Sequence, residues 1–70
     1  MSEACVIRQG IFERWFIFHP ESVVDGARAW SGSKWVKCGH DGVPYLVQVC
    51  NFTTEKEARE YCAENGLDPQ

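Results

Sequence analysis

The chain has 70 residues, 44% of them apolar, and a net charge of −3, proportions that fit one small folded domain over residues 1–70 and exclude a disordered segment. The acidic balance argues against a strongly nucleic-acid-binding protein. No basic stretch leads into an apolar run and no run reaches membrane-spanning length, which predicts a soluble cytoplasmic chain with no membrane partner.

The first strong signal in chain order is Ile11-Phe12-Glu13-Arg14-Trp15-Phe16-Ile17-Phe18, which reads as a strand stopped by His19-Pro20. Residues 20–29 carry Gly26 amid weak helical spacing and read as a loop running into a strand. Ser31-Gly32-Ser33 is turn chemistry, so Ala27–Trp30 and Lys34–Cys38 become the arms of a hairpin. Gly39 to Gly42 turns the chain again, and residues 43–52, with Pro44 at the first tolerated position, read as a last strand. Thr54 then caps a helix over about 55–65, with Glu57 completing a capping box. Ala58, Tyr61, Cys62 and Asn65 form its apolar face, and Asn65-Gly66 stops it with Leu67 as the closing contact. The expected fold is α+β: a small antiparallel meander of three to four strands with one C-terminal helix packed on one face.

One helix covers one face of a sheet. Yet Ile11, Trp15 and Ile17 alternate with Phe12, Phe16 and Phe18, and neither set is polar. The second face is therefore expected to be covered by residues 1–10 and 20–29, or to be an interface in a homodimer or with another protein. Three tryptophans, two tyrosines and four phenylalanines in so short a chain point the same way.

Charge is polarised. The stretch 26–40 holds Arg28, Lys34 and Lys37 without an acid, whereas 55–70 holds Glu55, Glu57, Glu60, Glu64 and Asp68 against Lys56 and Arg59. Chemistry is thin by comparison. Cys38-Gly39-His40 pairs a thiol with a base but lacks an orienting third group, and it reads as a strand end and a turn. Cys5, His19, Cys50 and Cys62 are too scattered for paired zinc ligands. With no secretory signal, the four cysteines are expected as thiols, a structural disulfide being the alternative. No phosphate loop is present, so no catalytic residue, metal or cofactor is expected and the chain reads as a non-enzyme.

Lys34-Trp35-Val36 followed by Phe52-Thr53-Thr54-Glu55-Lys56-Glu57-Ala58 is similar, over about residues 27–64, to the sheet-plus-helix DNA-binding domains of ethylene-response factors and integrase arms. That resemblance implies a hairpin 26–40 laid against nucleic acid. Trp30-Ser31-Gly32-Ser33-Lys34-Trp35 ahead of Phe52–Tyr61 also resembles small phage and prophage accessory proteins. This second resemblance implies a protein-interaction module that inhibits a host or antiviral-defence protein. The expected contact residues are Trp15, Trp30, Trp35 and Tyr45 with Lys34 and Lys37 at the rim, or the acidic surface of Glu57, Glu60 and Glu64.

Overall fold

The computed structural model describes residues 3–21, 28–38 and 48–70. Its first element is a strand, Glu3–Gln9 (β1), in which Cys5 is buried and the flanking residues alternate between two faces. Gly10 reverses the chain into Trp15–Phe18 (β2), which pairs antiparallel with β1 from Val6↔Phe18 to Gln9↔Trp15. A Cβ on Gly10 would lie 2.9 Å from Phe16 Cδ2 and Cε2, so only glycine lets the turn sit against that ring.

Between the two strands, Ile11–Glu13 makes a single 3₁₀ turn. The strand expected over 11–18 therefore starts only at Trp15. Its apolar run concealed a reversal in which Phe12 (φ 58°) and Glu13 (φ 59°) adopt left-handed backbone.

Arg28–Trp30 (β3) and Trp35–Lys37 (β4) form the expected hairpin, in register Arg28↔Lys37, Ala29↔Val36 and Trp30↔Trp35. Ser31 N–H donates to Lys34 O at 2.9 Å, and Gly32 takes the positive φ of 109° that the tight turn needs. Asn51–Phe52 (β5) pairs with β2 through Trp15↔Phe52 and Phe16↔Asn51. Of the strand expected over 43–52, residues 43–47 lie outside the described residues, 48 and 49 are turn and bend, and 50 is irregular.

The helix is Glu55–Glu64 (α1), with Thr54 Oγ1 accepting from Glu57 N–H at 3.2 Å. Ala58 and Cys62 are its buried residues; Asn65 is exposed and bonds back to Tyr61 O instead of joining the apolar face. Gly66 (φ 72°) makes the left-handed stop, and the buried Leu67 opens a further strand, Leu67–Pro69 (β6), parallel to β1.

The architecture is α+β, a six-stranded sheet in the order β4-β3-β2-β1-β6, with β5 beside β3 on the same edge of β2. Three to four strands was too few, because β1 and β6 were not anticipated and β6 returns in parallel. Cys5, Ile17, Cys62 and Leu67 are buried on the helix side, with Ile7, Trp30, Trp35, Phe52 and Tyr61 packed around them. On the other side Phe16, Ala29, Cys38 and Val49 are buried, flanked by Phe18 and Val36. Cys38 and Val49, on either side of the 39–47 stretch, are buried with that second face, whose Phe18 and Val36 are partly buried. Residues 3–9 do not cover that face, being a strand within the sheet, and 22–27 lie outside the described residues. Among the described residues no helix is long and apolar enough to cross a membrane.

Candidate protein-interaction surface

Trp30 and Trp35 are cross-strand partners, and partners directly opposite in a sheet project from the same face. Their rings meet edge to face with centroids 5.0 Å apart, and the His19 ring sits at 5.0 Å on Trp35. Flanking a turn does not separate the two indoles; the register aligns them. Each N–H is also committed: Trp30 Nε1 donates to Tyr61 Oη and Trp35 Nε1 to Glu3 Oε1, both at 3.2 Å. Both indoles are half-buried and pack against the Cys5, Ile17, Cys62 and Leu67 cluster.

Tyr61 is the hub of that contact. Its hydroxyl accepts from Trp30 and lies 3.8 Å from the Cys50 thiol, while its ring stacks at a tilt on Phe52, 5.3 Å away. Burial pushes the phenol up; the Trp30 N–H opposes this by favouring the anion, and Cys50 adds to the rise.

Trp15 is half-buried opposite Phe52 on β5. Lys34 and Lys37 are exposed on the hairpin. Glu57, Glu60 and Glu64 are exposed and, at i, i+3 and i+7, share one flank of α1. The Lys56–Glu60 pair at 4.0 Å and the Arg59–Glu55 pair at 2.8 Å are both exposed, a setting in which such pairs contribute little. Tyr45, Gly39 and His40 lie outside the described residues. Cys38 is buried, and that burial pushes its thiol up, the wrong direction for a nucleophile. All four cysteines are free thiols. Among the described residues no group of three or more His, Cys, Asp or Glu is placed to hold a metal.

The residues that sequence reasoning missed as a contact surface are at the β1–β2 turn. Among the described residues the exposed large apolar side chains are Ile11 (38%) and Phe12 (75%), adjacent at its tip. The backbone of the tip is held by several bonds. Gly10 N–H donates to Arg14 O at 2.7 Å, and Gln9 Nε2 donates to Glu13 O at 3.1 Å. Arg14 reaches sideways to Asn51 Oδ1 (2.8 Å) and Thr53 Oγ1 (3.2 Å), tying the loop to β5 and the helix entry. A left-handed non-glycine residue costs about 1–2 kcal/mol, and here two in succession hold a phenylalanine in water. Gly10 was the available signal, since it breaks the run just before Ile11. Compared with protein-family models, curated proteins and solved structures, the chain matches none of them.

Proposed function

We propose that the protein is a non-enzymatic interaction module that binds another protein through the Ile11-Phe12 tip. The observation that carries this reading is Phe12, exposed and held on strained backbone by bonds from Gln9, Gly10 and Arg14. Strain of this kind persists only where surrounding structure enforces it, and it concentrates at functional sites. An aromatic anchor carried on preordered backbone binds with less entropic loss, because the loop that presents it is already fixed. It fits an apolar pocket on the partner, with the acidic flank of Glu57, Glu60 and Glu64 as a second, electrostatic contact. The resemblance to phage accessory proteins makes that partner a host or antiviral-defence protein and the action inhibition by occupancy.

Nucleic acid is the competing reading, resting on exposed Lys34 and Lys37. It is the weaker one because Trp30 and Trp35, the residues that would stack on bases, are half-buried against the Cys5, Ile17, Cys62 and Leu67 cluster with both N–H groups bonded. Salt separates the two readings. A partner held through Phe12 stays bound to the immobilised protein as salt rises and after nuclease treatment. Nucleic acid held by a few phosphate contacts is released, and alanine at Arg28, Lys34 and Lys37 abolishes its retention.

A further inference from the structure

Cys5 and Cys62 bring two thiols together from opposite ends of the chain. Their sulfurs are 3.8 Å apart across a sequence separation of 57, and both residues are 0% exposed. Their positions are firmly set. Cys5 is central to β1, where its carbonyl accepts from Gln70 N–H at 2.9 Å and β6 pairs alongside at Pro69. Cys62 lies in the last turn of α1, immediately before the Gly66 reversal that leads into β6. Ile17 and Leu67 complete the surrounding cluster. Among the described residues no other two sulfurs approach within hydrogen-bonding distance.

Two buried cysteines can act simply as small apolar fillers. This pair does more than fill space, because the sulfurs face each other at a distance from which a bond of about 2.05 Å needs a closure of only about 1.8 Å. We propose that Cys5 and Cys62 are a disulfide site: thiols under reducing conditions, and a covalent staple between β1 and α1 once a low-molecular-weight disulfide such as oxidised glutathione acts on them. One cysteine thiolate attacks a sulfur of the oxidant, forming a mixed disulfide and expelling one reduced thiol. The second cysteine thiolate then attacks the cysteine sulfur of that mixed disulfide, forming the Cys5–Cys62 bond and expelling the second reduced thiol. Two electrons pass from the cysteine pair to the oxidant, and the two protons end on the released thiols.

The same burial that aligns the thiols slows the reaction. Cys5 is pushed up to about 12 and Cys62 is also raised, chiefly by burial, so little thiolate exists while the helix is seated. Oxidation therefore passes through an opening of α1 and β6 from β1, and the staple, once made, closes that opening.

The test uses the whole chain, folded, in buffer containing oxidised glutathione, followed by alkylation, digestion and mass spectrometry. The expected product is two hydrogens lighter, contains a single crosslinked peptide joining Cys5 to Cys62, melts on the order of 10 °C higher, and reverts with dithiothreitol. A Cys62→Ala variant shows neither the mass loss nor the rise. Recovery of both cysteines as alkylated thiols after incubation just below the unfolding midpoint, where opening is fast, overturns the proposal. So does a mixture of crosslinks to Cys38 or Cys50.

Discussion

The indole N–H of Trp30 donates to the hydroxyl of Tyr61 at 3.2 Å, and this bond joins the β3–β4 hairpin to the helix. The hairpin packs on the molecule through this contact, since Gly32 at its turn also sits near Cys50 Sγ and Tyr61 Oη, at 3.6 and 3.8 Å from an added Cβ. Tyr61→Phe leaves a half-buried donor without its acceptor, a loss of about 1–2 kcal/mol. Trp30→Phe in the same background costs less than it does alone. A double-mutant cycle by urea unfolding reads that coupling, and strict additivity of the two losses contradicts the bond's role.

Gly10→Ala is expected to destabilise the fold by about 1–3 kcal/mol, because its new methyl lies 2.9 Å from the Phe16 ring, which is itself wholly buried. Pairing it with Phe16→Leu, which makes room, recovers part of the loss relative to Phe16→Leu alone. Thermal midpoints of the four proteins decide this.

Glu13→Gly acts in the opposite direction. Its φ of 59° suits glycine, and no ion pair of its carboxylate is seen among the described residues. Relief of the left-handed penalty less glycine's own entropy leaves a gain of about 0.5–1 kcal/mol. A stabilised variant that still binds its partner separates the strain at Glu13 from the anchor at Phe12.

Alkaline pH weakens the fold. Cys5 titrates near 12 in the folded protein against an ordinary 9.0, owing first to burial and then to Cys62. Below pH 9 both states hold the proton and the stabilisation is complete. Above it the unfolded chain releases its proton first, so stability falls as pH rises toward 12. For Cys5 the fall approaches about 1.4 kcal/mol per pH unit, and the raised Cys38, Cys62 and Tyr61 act in the same direction. Urea midpoints measured from about pH 8 to about pH 11 show the decline, and Cys5→Ala makes it shallower.

What the sequence disclosed and what it hid follow from locality. Thr54, the Glu57 amide it caps and the Gly66 stop act within a few residues, and the helix appeared where they placed it. The hairpin was equally legible, because Ser31 and Gly32 set its turn alone. By contrast β6 is three residues ending in proline, and it exists only because Gly66 returns the chain to β1. Nothing inside Leu67–Pro69 signals a strand. Trp30 and Trp35 could be found in sequence but not oriented, since a shared face depends on register. Phe12 failed for the opposite reason: apolar composition argued for a strand, and the physical conflict at that position was visible only in the backbone.

Whether Phe12 anchors a protein partner is read by comparing wild type with Phe12→Ser as immobilised baits in nuclease-treated bacterial lysate. Phe12 is 75% exposed, so the substitution leaves the thermal midpoint nearly unchanged. Wild type is expected to retain a stoichiometric host protein through a high-salt wash, and Phe12→Ser, equally folded, is expected to lose it. Retention of the same protein at the same level by both baits contradicts this expectation.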